Sequence, residues 1–596
     1  MIHLNIKRIS YFLSLFIFIL CFLPSFIPNI YSSFLENEIF HRFLYIFISI
    51  SISVFSIIPI AIQQSRTNNI ILKFKTTDLL ILVILLYVIL NFLYSNKKND
   101  EEILFFLLLG HMWYFLRAFF SIIELERLES ILYKNLIKIF SIIFCYFVIY
   151  SFLQLSGFIP SNNELFEVTG HFNNPARLFM FVSLLFPSFL YSIRLIKKRL
   201  FYLLWFLILT IYLILLIKSG IQIVLITSLL CVFHFIWNEK IFRLKKSILI
   251  IISISIVIFI GSYAYLSNSG QGRVLIWKIS LQIWREFPIF GAGFESFDEI
   301  YTSYQSKYFS VSNNIKEVYI ADIVRSPYNE FLKTLCEQGV IGLILLLLPL
   351  IVQSILMLKK GMRKEYSGLE FIILPLLSIL LYSLVSYPLN EPSIRILSLL
   401  FFCIIVTKSQ DTVYFNLKTF PLLILLSLFY IVLTLIIIKI NKKFSAYREW
   451  NQGYNYTLEA SDMDRIYPIL NNDHNFMNFY FEYLNTEKKF FQSYFLSKGN
   501  NNFLKTPQIY YNFYNTYMAL NKIEEAESAL IFSVNMVPIK LTYRLHLMEH
   551  YIKMNELDKA INEAKIIISL PVKTKSNDAS IIKFKANDFL NKNSLK

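Results

Sequence analysis

Charged side chains are scarce in this sequence. Asp, Glu, Lys and Arg make up 16% of the 596 residues, whereas 56% of the residues are hydrophobic. A soluble domain carries about 25% charged residues, because a water-facing surface has to be polar. The shortage of charge excludes an ordinary soluble protein and predicts an integral membrane protein.

Cysteine is also rare, and its pattern is uninformative for cross-linking. Four of the five cysteines lie in apolar segments and Cys336 lies beside one, without a CxxC pair or a Cys/His cluster anywhere in the sequence. A disulfide framework or a zinc site would need such groupings. We therefore expect neither disulfides nor a metal site.

Long apolar runs are what the sequence has in place of charge. Runs of about 17–22 apolar residues can cross a bilayer as helices. The first run follows Lys7 and Arg8 as in a signal peptide, but no small-x-small cleavage site follows, so we expect a retained helix. We predict thirteen spans, at 10–27, 43–62, 78–94, 103–123, 136–155, 176–193, 201–217, 220–237, 247–266, 340–357, 369–386, 394–407 and 419–440.

The net charge of +17 is distributed unevenly between the two membrane faces. Lys and Arg accumulate in short cytoplasmic loops, and the distribution here places the N-terminus in the cytoplasm. Basic residues at helix ends are therefore a topology signal, and we expect no nucleic-acid partner. The short loops of the opposite face hold few cations, namely Arg42, Lys97, Lys98 and Lys218.

This orientation predicts three stretches outside the cytoplasm: residues 156–175, a long loop at 267–339, and everything after residue 441. A polar loop of that length between spans is unusual unless it carries function. A reaction at this face has no cytoplasmic nucleotides, so its energy must arrive in a lipid-linked donor. We divide the chain into a membrane domain, 1–442, and a soluble extracytoplasmic tail, 443–596.

The tail contains an internal repeat in its second half. The period resembles the roughly 34-residue period of tetratricopeptide repeats, which are helix pairs that stack into a concave surface. A generic helical domain with chance similarity is the alternative. In either case the tail could dock a protein partner. The matching positions are Tyr517/Tyr551, Asn521/Asn555, Ile523/Leu557 and Ala526/Ala560, with Pro538 and Pro571 closing the units.

The long loop begins with a predicted amphipathic helix that ends at glycines. Trp277 and Trp284 share one face of this helix, as in a helix at the membrane interface, and Arg273 precedes Trp277 by one turn. Arg273 either contacts a phosphate or is the ordinary basic end of a surface helix. Gly291 and Gly293 then allow tight turns.

The predicted sixth span has an N-terminus suited to an anion. Asn174 and Pro175 form a helix start signal, and Arg177 adds a positive charge to the orphan N–H groups of the first turn. His171, just before it, is more often a hydrogen-bonded loop residue in such a position. Lys218 lies in a very short outer turn, where a snorkelling lysine is the alternative to a functional one.

Three ordered motifs resemble the O-antigen ligase and polymerase superfamily. Tyr328-Asn329, followed by an x9 spacing and Gly339-x-x-Gly342, resembles its [His]-Asn-x9-Gly-x-x-Gly signature. Residues 169–175 resemble its Gly-x-Phe-x-Asn-Pro element, and Arg273…Trp277…Pro288…Gly291-Ala292-Gly293 resembles its Arg…Trp…Pro-x-x-Gly-x-Gly segment. The resemblance covers roughly 165–345.

The resemblance implies an enzyme of the bacterial inner membrane that transfers a glycan from undecaprenyl diphosphate to an acceptor hydroxyl. The acceptor is a lipid A–core glycolipid, a growing glycan or a protein, and neither a cofactor nor a nucleotide sugar is needed. On this basis Arg273, Arg177 and Lys218 would bind the diphosphate. Tyr328, Asn329 and Arg325 would be catalytic, with Asn174, Pro175 and the four motif glycines shaping the site.

Two departures from the family pattern affect the expected mechanism. Tyr328 stands where the family has histidine, and the arginine near the turn between the seventh and eighth helices is absent, with Lys218 the nearest cation. Tyrosine has an unperturbed pKa of about 10 and is a poor base. The acceptor proton would then pass to water or to Glu330.

Several functions remain open at this point. A polymerase and a ligase cannot be separated by sequence, and a non-catalytic scaffold that holds a lipid-linked glycan agrees with Tyr328. A transporter would show internal repeats or paired broken helices in the membrane domain, and we see neither in the sequence.

Overall fold

The computed structural model describes residues 70–94, 100–125, 129–238, 268–312, 314–359, 366, 368–409, 411–417, 435, 438–439, 441–450, 460–499, 503, 505–572 and 577–593. The regular secondary structure in these ranges is helical apart from one two-stranded sheet. The predicted spans 10–27, 43–62 and 247–266 lie outside the described residues, as does nearly all of 419–440.

The membrane domain and the long loop supply twelve helices and both strands among the described residues. They are β1 (Ile70–Lys75), α1 (Thr76–Tyr94), α2 (Asp100–Leu125), α3 (Glu129–Leu155), α4 (Pro175–Ser192), α5 (Arg199–Ser219), α6 (Gln222–Asn238), α7 (Asn268–Glu286), α8 (Phe297–Val311), α9 (Ile315–Ile320), α10 (Glu330–Leu358), α11 (Glu370–Val385), α12 (Pro392–Thr407) and β2 (Thr412–Leu417), with 3-10 turns at Ile193–Leu195 and Pro388–Asn390.

Apolar helices make the chain a multi-pass membrane protein. Within the described ranges, five helices are long and apolar enough to cross a membrane, namely α1, α3, α4 with its following turn, α5 and α10. Shorter apolar helices lie at Phe105–Tyr114, Gln222–Asn238, Glu370–Val385 and Pro392–Thr407. Each of the nine predicted spans in the described ranges therefore falls on an apolar helix.

Aromatic packing explains why α4 lies at the centre of the bundle. Its Phe186 and Phe189 rings meet the ring of Phe144 on α3, which also contacts Tyr212 on α5. Ring pairs at these distances add stabilisation beyond the buried area. This packing holds α4, which carries Arg177 in its first turn, against its neighbouring helices.

One end of the bundle is closed by a buried ion pair and the short sheet. Arg117 Nε lies 3.0 Å from Asp78 Oδ1, and the same guanidinium donates to Thr407 Oγ1 at 2.6 Å. Strands β1 and β2 pair antiparallel beside it, with Lys75 opposite Thr412. An unpaired charge would be costly here, so Arg117 has a structural role at the end predicted to be cytoplasmic.

The tail consists of helical hairpins with a repeated turn. Asn521 and Asn555, which occupy matching positions of the sequence repeat, both adopt left-handed backbone conformations, with φ of 56° and 61°. The following N–H group in each turn donates back at 2.9 Å, from Lys522 to Tyr517 and from Glu556 to Tyr551. The tetratricopeptide assignment itself stays a prediction. The tail helices are α13 (Ala460–Leu470), α14 (His474–Thr486), α15 (Phe490–Gly499), α16 (Pro507–Ala519), α17 (Ile523–Met536), α18 (Leu541–Lys553), α19 (Leu557–Ser569) and α20 (Asn577–Asn593).

The long loop and the tail share one hydrophobic core. Ile279, Phe297 and Tyr301 of the loop are buried in the same cluster as Leu530 and Val534 of the tail. Segments that share a dry core cannot be separated by a bilayer. The long loop and the tail therefore lie on the same side of the membrane.

The predicted orientation places that side outside the cytoplasm. An alkaline phosphatase fusion after Lys442 is therefore expected to be active, because this enzyme matures only outside the cytoplasm, and a fluorescent protein that matures only in the cytoplasm should be dark there. Activity assays and fluorescence of the two fusions check this. An inactive phosphatase fusion and a bright fluorescent one would reverse the orientation of both segments.

Candidate active site

The two glycine motifs are partners of each other. We define the glycine junction as residues 288–293 and 336–341. Ala292 N donates to Cys336 O at 2.8 Å, Gly293 N donates to Glu337 O at 2.9 Å, and Val340 N donates to Pro288 O at 3.0 Å. The two motifs are distant in the chain, yet they form one main-chain hydrogen-bonded unit.

Glycine is required where the two segments cross. Gly291 and Gly339 have φ of 72° and 66°, in the left-handed region. A Cβ on Gly291 would lie 2.3 Å from Gln338 N, and one on Gly339 would lie 2.1 Å from Ile289 O. Real Cβ atoms do not approach this closely, so the backbones can meet because both residues lack a side chain.

Of the remaining motif glycines, Gly293 lies in the junction and Gly342 directly follows it. Gly293 has a φ of 116°. Gly342 lies one turn after Gln338, and a Cβ there would come within 2.3 Å of Gln338 Cβ. Gly339 itself has non-helical angles inside α10, which therefore begins at Glu330 and continues past a kink into the predicted span. Helix α1 contacts the junction through a side chain: Asn91 Nδ2 donates to Phe290 O at 2.8 Å.

The junction holds the N-terminus of α10, where Tyr328 and Asn329 lie. Asn329 is the N-cap: its Oδ1 accepts from Leu332 N at 2.9 Å, and its Nδ2 donates to Leu384 O at 3.0 Å. Both functional groups of this side chain serve the scaffold. The retained half of the motif therefore sets loop geometry.

Tyr328 is half-buried in a cluster with Arg273 and Tyr387. Its ring centroid lies 5.2 Å from that of Tyr387, and Arg273 Cζ lies 5.7 Å from the centroid of the Tyr328 ring. The backbone of Tyr328 is left-handed, with a φ of 53°. Trp277 of α7 donates to Pro327 O at 2.8 Å, which ties the preceding residue to the helix that carries Arg273.

The electrostatics of this cluster keep the tyrosine protonated. Burial raises the pKa of the Tyr328 hydroxyl above its ordinary value, Tyr387 and Asp322 raise it further, and Arg273 offsets part of this rise. Burial disfavours the charged form of Arg273 as well and so lowers the pKa of its guanidinium. Arginine nevertheless remains charged in proteins. Tyr328 can thus donate a hydrogen bond at neutral pH but is a poor proton acceptor.

Arg273 is a half-buried cation that has no carboxylate partner in the part of the chain that the structure describes. Among the described residues, no carboxylate lies within ion-pair distance of its guanidinium, and its neighbours are the tyrosines Tyr328 and Tyr387. Removing a cation from water without a partner is costly. The arrangement is suited to an anionic ligand, with which Arg273 would form charge-assisted hydrogen bonds.

A short loop between α11 and α12 completes the site, and sequence reasoning missed it. Tyr387 precedes the turn Pro388–Asn390, and Leu389 N donates to Glu330 Oε1 at 2.8 Å. After the loop, Arg395 of α12 pairs with α2, because its Nη1 lies 2.8 Å from Glu102 Oε2. Ionisable residues at helix entrances in a membrane protein were the available signal.

Arg177 and the N-terminus of α4 lie against the same loop. Asn174 caps the helix, with Ala176 N donating to its Oδ1 at 2.7 Å, and Pro175 is the first helical residue, as predicted. Arg177 Nη1 lies 3.9 Å from Glu391 Oε2. A protein carboxylate thus partly neutralises Arg177, which makes it a weaker anion site than Arg273.

The other residues singled out in the sequence differ in their exposure. Arg325 is exposed in the segment just before Tyr328. Lys218 is exposed in the last turn of α5, before the left-handed cap Gly220. His171 is buried, and its Nε2 lies 2.7 Å from the Tyr146 hydroxyl. Within the described ranges, no group of three or more His, Cys, Asp and Glu residues could hold a metal ion.

The fold and the site define a multi-pass membrane protein with an extramembrane loop that presents a half-buried arginine beside two tyrosines. Residues 176–347 match the family model described as O-Antigen ligase. The chain therefore carries a domain of the O-antigen ligase superfamily. The match runs from the start of α4 to the middle of α10, includes both glycine segments and Arg273, and supports a membrane glycan ligase or polymerase type of function. No curated protein matches the sequence.

Proposed function

We propose that this protein transfers a glycan from undecaprenyl diphosphate to an acceptor hydroxyl at the outer face of the bacterial inner membrane. The observation that carries the proposal is Arg273, a half-buried cation without a described carboxylate partner, inside the O-antigen ligase domain. A diphosphate leaving group supplies the negative charge that the described residues do not provide at this position.

The proposed reaction is an inverting displacement at the anomeric carbon. The acceptor oxygen forms a bond to that carbon while the bond from the carbon to the diphosphate oxygen breaks. Arg273 stabilises the charge that develops on the diphosphate, assisted by exposed Arg325, which lies three residues before Tyr328 in the sequence. Tyr328 donates a hydrogen bond to the diphosphate or guides the acceptor hydroxyl.

Water is the better candidate for the proton acceptor. Glu330, which lies two positions after Tyr328, is buried and already accepts a hydrogen bond from Leu389 N. Tyr328 keeps its own proton, because burial raises the pKa of its hydroxyl. We therefore assign the acceptor proton to solvent, with the reaction driven by departure of the diphosphate.

Substitutions of Tyr328 separate hydrogen bonding from proton transfer. Tyr328→Phe should lower transfer moderately, by about tenfold or less, because one neutral hydrogen bond is lost. Tyr328→His should be tolerated and should add a pH dependence near about pH 6.5, where imidazole titrates. Asn329→Ala should be more damaging, because it removes the N-cap of α10.

Transfer in membranes with a lipid-linked donor, measured across pH, checks these three variants. The wild-type rate should not show a titration of Tyr328 in the neutral range, since burial raises that pKa. A fully active Phe variant together with an inactive His variant would make position 328 a packing residue.

Ligase and polymerase activities are distinguished by deleting the gene and examining surface and lipid-linked glycans. Full-length glycan accumulating on the lipid carrier indicates a ligase, whether its acceptor is lipid A–core or protein. Accumulation of single repeat units indicates a polymerase. An unchanged glycan pool contradicts both, and favours the donor-holding scaffold for which the protonated Tyr328 is the supporting observation.

A further inference from the structure

Helix α8 of the long loop lies between the Tyr328 segment and the tail. Gln305 on this helix donates from Nε2 to Asp322 O at 2.9 Å and to Met536 O, the last residue of α17, at 2.5 Å. The neighbouring Ser306 Oγ donates to Phe532 O at 3.4 Å. One side chain of the loop thus bridges the residues before Tyr328 to the tail.

The bridge lies in the dry interior of the loop–tail interface. Gln305 is 2% exposed, Met536 belongs to the shared hydrophobic core, and Asp322 follows Ala321 of the same core. A buried carboxamide is costly unless it is hydrogen-bonded. Without Gln305, the Met536 carbonyl would lose this donor in the buried interior, and the Asp322 carbonyl would lose it at the edge of the interface.

The segment between Asp322 and Tyr328 transmits this constraint to the site. Val324 is buried in the same core, and Pro327 O accepts from Trp277. This short segment is held at both ends and positions the Tyr328 ring next to Arg273. The position of this ring therefore depends on the tail as well as on the glycine junction.

We propose that the tail is part of the active-site scaffold, and that Gln305 is the positioning residue that couples it to Tyr328. The inference rests on the proposed function for its catalytic consequence. Gln305 touches neither the reacting groups nor Arg273. Its loss should loosen residues 321–328 and lower turnover while leaving the charge that binds the donor intact.

Hydrogen–deuterium exchange and transfer kinetics on the purified full-length protein test this proposal. Gln305→Met keeps the side-chain length but removes the donor, and exposed Gln492 on α15 supplies the matched control, Gln492→Met. In the Gln305 variant we expect backbone exchange at 321–328 to rise about tenfold and kcat to fall about tenfold, with KM for the lipid-linked donor little changed. The control should match the wild type.

A milder variant covers the case in which Gln305→Met does not fold. Gln305→Asn keeps the donor on a shorter side chain, so its exchange and kcat should lie between those of the Met variant and the wild type. Unchanged exchange at 321–328 in a folded Gln305 variant would overturn the proposal. Faster exchange with full kcat would also overturn it, because the residue would not then position the site.

Failure of the proposed function gives a different result. If the wild-type protein transfers no glycan while its donor and acceptor are intact, the function is contradicted. The exchange comparison still decides in that case whether Gln305 fixes the segment before Tyr328, since that readout does not require turnover.

Discussion

Alanine in place of Arg273 is expected to lower glycan transfer by at least about 100-fold without lowering the amount of protein in the membrane. The guanidinium is half-buried beside Tyr328 and has no carboxylate partner among the described residues. Removing a donor that stabilises developing charge typically costs about 100–1,000-fold in rate. No described protein ion pair is broken by this change, so folding should be preserved.

Two further variants separate charge from geometry. Arg273→Lys keeps the charge but loses the planar fork that binds two phosphate oxygens, so most of the activity should still be lost. Arg285→Ala removes an exposed arginine from the last turn of the same helix and should be active. Transfer from a lipid-linked donor in membranes measures all three, and full activity of Arg273→Ala would show an ordinary surface-helix arginine.

Gly339→Ala is expected to disrupt the junction that carries the site. The added Cβ would lie 2.1 Å from Ile289 O and 2.7 Å from Gly291 N, both of which are backbone atoms. The clash adds to a left-handed strain of about 1–2 kcal/mol, so we expect a loss of about 3 kcal/mol or more. Thermal unfolding in detergent should show a marked drop, accompanied by loss of transfer.

Gly220→Ala is a matched control for the backbone strain alone. Gly220 has a φ of 65°, close to the 66° of Gly339, but nothing lies within 4 Å of a Cβ built on it. This variant should lose about 1–2 kcal/mol from the left-handed conformation. Equal thermal unfolding of the two alanine variants would contradict the close backbone approach at Gly339.

The sequence predicts those parts of the fold that follow from local patterns. Apolar runs identify the nine spans that fall within the described ranges, because the bilayer core imposes both length and composition. Asn174 and Pro175 mark the start of α4, since capping is local chemistry. The repeat in the tail is accompanied by the same left-handed turn at Asn521 and Asn555, which asparagine tolerates better than most residues.

The site is predictable in its motifs but not in their pairing. The bonds between residues 288–293 and 336–341 join main-chain atoms, and main-chain partners leave no side-chain pattern to read. Tyr387 lies beyond α10 and α11 in the chain, so proximity in sequence does not connect it with Tyr328. The role of Gln305 cannot be predicted from the sequence for a similar reason, because both groups that it binds are main-chain carbonyls.

The position of a charged residue in the sequence alone overestimates how well some residues can bind an anion. Sequence reasoning treats Arg177 and Lys218 as equal to Arg273, yet Arg177 faces Glu391 and Lys218 is exposed at a helix end. What distinguishes Arg273 is burial without a described counter-charge. That property depends on how the rest of the long loop packs against α7, which is a matter of tertiary structure.

The most direct test reconstitutes purified protein in liposomes with a labelled glycan on undecaprenyl diphosphate and with acceptor. Transfer of the glycan should release one undecaprenyl diphosphate for each glycan moved, and Arg273→Ala should abolish both events together. No transfer by the wild-type protein with a competent donor and acceptor, or equal transfer by wild type and Arg273→Ala, would contradict the account.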